Sequence, residues 1–465
     1  MQKKHECWPI LAMVMTGVFL STMDSGMVNV ALPTIMRSLG LSLEYAEFIV
    51  TFYLLTITVT LVFWGRFADR LGRGNIYLTG MLLFSLGSLC CYFSSSYERL
   101  LASRFLQALG ASMMMSSGPA LIKMVSPAEH LGRNLGLVGI ATACGLLSGP
   151  FISGLLLSMF SWRTIFLVSL PVSITVLFAG WFFIHPRLPR TDPMAAFTFD
   201  WQGSCCWVAM VVIGLSIFHR LDQFFSVLNI FSIALLAALI ALFLWVEKNA
   251  ASPILPLSLL RQRFYWVAVL TAAISFATMF TVMVLAPFYL EYIMQLPVEK
   301  IGRVMMAVPA TLIVLSPLAG WLYDKIGARF LTTGGLGLCC LALIGLANLS
   351  VDSSLVGVIG NLALLGAGQS VFLSPNSASV LSQVSEEFSG ISAGILATAR
   401  NFGMVAGATL AAALFSWWFS FYSGGGQLAN YTIGDRNAFI LAIKTTFLLS
   451  ACLALFGGIV SSRRG

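Results

Sequence analysis

Apolar residues fall in long, almost unbroken blocks along this chain, and polar residues gather in the short gaps between them. Blocks long enough to cross a bilayer as helices occupy roughly 8–35, 46–66, 75–95, 98–124, 133–159, 164–184, 201–218, 226–246, 264–290, 301–322, 330–349, 354–381, 390–421 and 437–460. The pattern predicts an all-α membrane protein with fourteen spans, because a backbone surrounded by lipid must satisfy its own hydrogen bonds. The most charged gap in the first hundred residues is Gly65-Arg66-Phe67-Ala68-Asp69-Arg70-Leu71-Gly72-Arg73. Its glycine, aspartate and second glycine return as Gly320, Asp324 and Gly327, each 255 residues further on.

A motif repeated at the same place in two hydrophobic halves is a common construction of secondary transporters. The first six spans take about 180 residues, so an offset of 255 leaves room for an inserted pair, and spans seven and eight supply it. The expected organisation is a six-helix bundle over 1–190, an inserted two-helix segment with its flanking loops over 191–262, and a second six-helix bundle over 263–465. Placing both termini inside puts the larger share of the basic residues on the cytoplasmic side, among them Lys3, Lys4, Arg66, Arg70, Arg73, Lys325 and Arg329. The positive-inside rule therefore favours an N-in, C-in chain.

Composition excludes several classes. With 58% hydrophobic and only 9% charged residues, the chain departs from soluble domains, which carry about 25% charge. The net charge of +8 is spread singly or in small groups over span ends and makes no basic face for nucleic acid. The nine cysteines lie mostly inside spans, without metal-ligand spacing, and read as small packing residues. No phosphate-binding Gly-x-x-x-x-Gly-Lys-Ser/Thr loop occurs, and the four histidines form no cluster. An enzyme is not expected, nor a metal, nor any cofactor beyond protons as coupling ions.

At the level of motifs the chain resembles the major facilitator superfamily, and within it the fourteen-helix drug:proton antiporter branch. The loop Gly65–Arg73 resembles the superfamily signature between helices 2 and 3. Met23-Asp24-Ser25-Gly26-Met27-Val28-Asn29-Val30-Ala31-Leu32-Pro33 resembles the branch's first-helix motif. Leu101-Ala102-Ser103-Arg104-Phe105-Leu106-Gln107-Ala108-Leu109-Gly110 is similar to the fourth-helix motif around a buried arginine, with Ala108 where glycine is usual. Gly145-Leu146-Leu147-Ser148-Gly149-Pro150-Phe151-Ile152-Ser153-Gly154 resembles the antiporter motif of helix 5, with Ser153 replacing a glycine. The resemblance implies a proton-coupled exporter of multidrug-efflux type, acting by alternating access on amphiphilic or apolar small molecules. A dedicated exporter of one metabolite or lipid-like compound is the alternative, and a non-transporting sensor or scaffold the remote one. Expected partners are a small amphiphilic substrate and membrane lipid, with a monomeric chain.

Particular residues carry this reading. A carboxylate inside a span, as at Asp24, is rare unless partnered or functional. Burial favours the neutral form of a carboxyl group and a nearby cation the charged form, so one held between the two can take up and release a proton. Arg104 cannot lose its charge; it is either the partner of Asp24, with Gln107 a turn along the same face, or a side chain reaching the interface. Glu291 and Arg400 are the possible polar site of the second half. Met23, Asn29, Tyr53, Gln107, Met114, Phe276, Phe288, Gln369 and Asn376 are candidates to line the substrate cavity, against a strong competing reading as packing residues. Gly65, Asp69, Arg70, Gly72, Arg73, Gly320, Asp324 and Gly327 are expected to form a cytoplasmic gate, Asp69 holding the two halves together. Gly145, Gly149, Pro150 and Gly154 are expected to shape the contact of helix 5 with helix 10.

Overall fold

The computed structural model describes residues 2–41, 43–184, 200–219, 227–249, 259, 261–425 and 432–464. Among them every regular element is helical. In chain order the long helices are α1 (Gln2–Leu39), α2 (Leu43–Leu71), α3 (Arg73–Tyr92), α4 (Tyr97–Val125), α5 (Leu131–Met159), α6 (Ser169–Ala179), α7 (Trp201–His219), α8 (Val227–Asn249), α9 (Arg263–Phe288), α10 (Ala307–Ile326), α11 (Ala328–Ala347), α12 (Leu355–Gln383), α13 (Ser389–Tyr422) and α14 (Arg436–Ser462). A 3₁₀ segment, Trp162–Leu167, leads into α6, and an eight-residue helix, Val298–Met305, leads into α10. Twelve of the described helices are long and apolar enough to cross a membrane, against fourteen read from the sequence. The two outside that set are α4, diluted by Arg99, Arg104, Gln107 and its serines, and α7, whose apolar stretch Trp201–Gly214 is short. The loop at residue 190 that separates the first bundle from the inserted segment lies outside the described residues, as does most of the loop at 250–260.

Each half has its own core. Leu20, Tyr77, Phe84, Leu121 and Phe166 pack in the first, and Val282, Leu343, Leu362, Phe415, Phe439 and Phe447 in the second. Helices α7 and α8 pack on each other and rest on both halves. Phe243 and Trp207 sit against Val62 of α2, Tyr265 of α9 and Ile391 of α13, and Trp207 Nε1 donates to the Val59 carbonyl at 3.2 Å.

The halves share their helix crossings. Gly80 and Gly110 bring α3 and α4 into backbone contact, and Gly335 and Gly368 do the same for α11 and α12. A side chain at any of these would meet main-chain atoms at 2.3–2.8 Å. Likewise Gly145 and Gly149 of α5 meet α1 at Phe19 and Met23, while Gly403 and Gly407 of α13 meet α9 at Ala273 and Ala277. The repeat is thus 255 residues across helices 2 and 3 but 258 across helices 4 and 5, because the loop 348–354 is three residues longer than 93–96. The longer interval pairs Arg400 with Thr142, not with Gly145 as the constant offset implied. Ser96 and Ser354, also 258 apart, begin α4 and α12 in the same way, each accepting from a backbone N–H three residues on.

Candidate functional site

Asp24 on α1 and Arg104 on α4 meet deep in the first half. Arg104 Nη1 donates to Asp24 Oδ2 at 2.6 Å and to Gln107 Oε1 at 2.6 Å, and Gln107 Nε2 donates to Asp24 Oδ1 at 2.9 Å. Gln107 Nε2 also reaches Ser88 Oγ at 2.8 Å, which carries the network to α3. The guanidinium lies 3.9 Å from the centre of the Tyr53 ring on α2, close enough for cation–π attraction. Asp24, Arg104, Gln107 and Tyr53 are all at most 1% exposed. The fold therefore brings together the two charges and the glutamine, and Arg104 does not reach for the interface. Desolvating two ions is repaid only by close geometry and extra hydrogen bonds, and both are present here. Chemically the cluster is a carboxylate held by two donors of fixed protonation state. Neutralising the carboxylate would unfasten α1 from α4.

The second half fills the matching space differently. Matched through the glycine crossings, Asp24, Arg104 and Gln107 correspond to Thr278, Leu362 and Leu365, all fully buried. The proposed polar residues of this half do not come together. Glu291 is exposed at the far end of α9, in the π-helical turn Tyr289–Ile293, whereas Arg400 lies inside α13 and donates to Ser377 Oγ.

The repeated loops meet the opposite halves. At the end of α2, Asp69 Oδ1 accepts from Gly390 N at 2.8 Å and Oδ2 from Ile391 N at 3.0 Å, so it caps α13 of the second half. At the end of α10, Asp324 accepts from Gly132 N at 3.0 Å and Arg133 N at 3.1 Å and caps α5 of the first half. Gly65 and Gly320 allow the approach: a Cβ on Gly65 would lie 2.6 Å from the Gly390 carbonyl oxygen, and one on Gly320 2.2 Å from that of Gly132. The second glycines, Gly72 and Gly327, have φ of +95° and +78°, the left-handed region that favours glycine, where the chain turns into the next helix. Arg73 adds an ion pair to Asp69 at 3.0 Å and donates to the Glu386 carbonyl, while Arg70 is half-buried beside it. Lys123 of α4 donates to the Val384 carbonyl and Ser374 Oγ to the Gly132 carbonyl. These cross-half bonds gather at one end of the molecule, which is sealed.

Several expectations need correction. Gly145 and Gly149 face α1, not α10; the α5–α10 contact is made a turn or more earlier by Gly132, Gly136 and Gly139, which share a different face. Gly154 has open space around it, and the side chain of Pro150 lies outside the described residues. Among the cavity candidates, Met23 and Met114 are packed in the first core. Gln369 is tied to Ser275, donating to its carbonyl at 2.7 Å, and Asn376 donates to the Ala268 carbonyl at 3.1 Å; both join α12 to α9. Asn29 is exposed, Phe276 partly buried, and Phe288 is exposed and stacked on Tyr292. A helix apolar on every side hides which face is core, so the packed positions of Met23, Met114, Gln369 and Asn376 share one cause.

Gly132, Gly390 and Arg464 did not stand out in the sequence. The two glycines are 258 residues apart, and the three-residue slip in the repeat hides them. Arg464, just past α14, is buried and donates from Nη1 to Asn376 Oδ1 at 2.7 Å. Burial pushes its guanidinium down to about 10, opposed by nearby Tyr323, so it stays charged at neutral pH.

The sequence profile of the Major Facilitator Superfamily matches residues 14–408. The chain is 29% identical over 460 residues to the riboflavin transporter RibZ of Clostridioides difficile (strain 630), covering 98% of this chain and 96% of that one. It is also 29% identical over 416 residues to the multidrug resistance protein Stp of Mycobacterium tuberculosis (strain CDC 1551 / Oshkosh), covering 88% of this chain and 76% of the relative. Among solved structures it superposes on the human organic anion transporter MFSD10 (TETRAN) with a TM-score of 0.69 at 14% identity, over 98% of this chain and 99% of that one. The proton:xylose symporter XylE gives 0.63 at 15% identity, over 98% and 95%. A helical membrane fold with a twofold repeat, matched by one family along most of its length, identifies the chain: it belongs to the Major Facilitator Superfamily and is a multi-pass secondary transporter, not an enzyme.

Proposed function

We propose that this transporter is a proton-coupled exporter of amphiphilic or apolar small molecules, with Asp24 as the proton carrier. The observation that supports it most is the enclosed Asp24–Arg104–Gln107 cluster, in which a proton and Arg104 compete for one carboxylate. Taking up a proton frees Arg104 and loosens α1 from α4; releasing it restores the pair. Protons are the coupling ion, with no other cofactor. In this reading α4 and α7 cross the membrane with the twelve more apolar helices, giving the fourteen-helix arrangement of the drug:proton antiporter branch. Both termini lie inside a cytoplasmic membrane, and the chain works as a monomer. The sealed end then faces the cytoplasm, and the Asp69 and Asp324 caps act as the gate that must break for inward opening.

The test is substrate-driven proton release from the purified protein in detergent, wild type beside Asp24→Asn, over a chemically diverse panel. Release by several unrelated compounds, lost in the variant, is expected; release that survives Asp24→Asn would remove Asp24 from the coupling site. A dedicated exporter is the second reading, favoured by the riboflavin transporter that matches 98% of the chain. Release by a single compound in the same panel would establish it.

A further inference from the structure

The two ion pairs found among the described residues, Asp24–Arg104 and Asp69–Arg73, both use side chains of the first half. Among the described residues, Arg400 in the second half has no such counterweight. Its Nη2 donates to Ser377 Oγ, and its Nε is buried with no partner among the described residues. Ser377 spends its own proton on the Leu373 carbonyl at 2.8 Å and so offers a neutral acceptor, not a charge. No charged group on α9, α12 or any other described element neighbours the guanidinium. The ring of Phe276 on α9 stands 6.0 Å from it.

Position gives this loose cation a meaning. Arg400 lies eleven residues into α13, about 17 Å from the sealed end and near the middle of a bilayer. It is partly accessible, and a guanidinium at that depth does not face lipid. Ala393 and Ala397, about 20° and 60° around the helix from it, pack into the core of the first half. On α12, Ser377 is about 60° from Ser374 and 40° from Leu381, which also touch the first half. Arg400 and Ser377 therefore border the seam between the halves, just beyond the point where it is sealed.

We infer that Arg400, braced by Ser377 and flanked by Phe276, is the subsite for an anionic group, a carboxylate, sulfonate or phosphate, on an amphiphilic substrate. The inference rests on the transport reading above and narrows its substrate class to compounds that pair an apolar or aromatic body with an anionic end. A guanidinium has five N–H donors in a planar fork, and Ser377 uses one on Nη2, leaving the Nη1 donors and the second Nη2 donor for a two-point contact with an oxyanion. The aromatic body of the substrate would lie along Phe276.

Three probes of nearly one shape separate charge from size: 2-naphthoate, 2-naphthamide and 2-naphthylmethylammonium. Their affinities for the purified full chain in detergent are measured by titration calorimetry. The expected result is that the acid binds at least 10-fold more tightly than the amide or the ammonium. Arg400→Gln should bring acid and amide within 3-fold of each other, and Arg400→Lys should keep part of the preference. Equal affinities in the wild type, a preference for the ammonium, or no binding of the acid at millimolar concentration would each overturn the inference. So would a preference for the acid that survives Arg400→Gln. Amide binding retained by Arg400→Gln shows that the variant is folded; if it is not, the wild-type ranking decides alone. Proton release lost in Asp24→Asn is read separately, so this subsite can fail while proton coupling stands, and the reverse.

Discussion

The two halves cross the same pairs of helices at matching glycines, yet they enclose different chemistry. Where the first half places Asp24, Arg104 and Gln107, the second places Thr278, Leu362 and Leu365. One backbone arrangement thus accommodates either a hydrogen-bonded ion cluster or an apolar plug. The cluster is not needed to build such a bundle, because the second half is built without it. A buried ion pair seldom stabilises more than apolar residues of like volume, so its presence in one half alone points to work during transport. The seam shows a milder asymmetry. Asp69 has two backbone donors and Arg73, whereas Ala328 stands where Arg73 would repeat beside Asp324, leaving that carboxylate its two backbone donors.

The sharpest break of this comparison converts one half into the other. Arg104→Leu alone leaves the Asp24 carboxylate buried without its cation, which costs about 3–5 kcal/mol and should abolish proton-driven flux. The triple variant Asp24→Thr, Arg104→Leu, Gln107→Leu copies the second half. Its melting temperature should return to within a few degrees of wild type, with flux still absent. A triple variant as unstable as the single one would show that the cluster holds the bundle together. The reverse graft, Leu362→Arg, should destabilise strongly, because Thr278 offers no charge to receive it.

The next effect concerns the seam as a whole. Gly320→Ala drives a methyl group to 2.2 Å from a main-chain oxygen, and Gly65→Ala to 2.6 Å. Main chain cannot swing aside as a side chain does, so both variants should hold the sealed end apart. Spin-label distances across α5 and α10, or α2 and α13, should lengthen by several ångströms, more for Gly320→Ala. Transport should fall about 10-fold or more. Distances that stay at wild-type values would mean the halves do not close as tightly in the membrane.

Much of this was legible in the sequence. The 255-residue repeat exposed the two loops, and a carboxylate, an arginine and a glutamine stranded in apolar spans named the cluster. What the sequence hid was the partner of each loop. Asp69 meets Gly390 across 321 residues, and Gly390 looks like any glycine in a chain with 41 of them. The three extra residues in 348–354 also broke the constant offset, so Gly145 and Gly149 could not be matched with Gly403 and Gly407. Met23 and Met114 were misplaced because a span apolar all round carries no sign of which face meets substrate.

Smaller differences separate the two caps. Asp69→Asn keeps one acceptor oxygen but loses both the charge held by Arg73 and one of the two accepted N–H bonds. Asp324→Asn loses an accepted bond without an ion pair. A hydrogen bond to a charged group contributes roughly 1.5–3 kcal/mol; each carboxylate loses one, and only Asp69 also loses an ion pair. Transport rates in proteoliposomes should therefore drop about 10-fold for Asp69→Asn and about 3-fold for Asp324→Asn. Substrate affinity of a form locked open at the far end should hardly change in either. A large affinity loss in that locked form would place the aspartates in binding instead of closure.

The smallest expected effect tests whether the two turns are equivalent. Gly72 and Gly327 both combine positive φ with extended ψ at the start of a helix, and a residue with a Cβ pays about 1–3 kcal/mol in that region. At Gly327 there is open space where a Cβ would sit. Gly327→Ala should thus cost backbone strain alone, a fall of a few degrees in melting temperature with transport nearly intact. Gly72→Ala carries the same strain but also sits between Asp69 and Arg73, whose ion pair spans the turn. Any shift of the turn moves Arg73 relative to Asp69, so Gly72→Ala should lower transport by a further 2- to 3-fold at equal loss of stability. Combining each with Arg73→Ala separates strain from pairing. If the difference between the two glycine variants disappears in that background, the ion pair is its source; if it persists, the turns differ in their backbones.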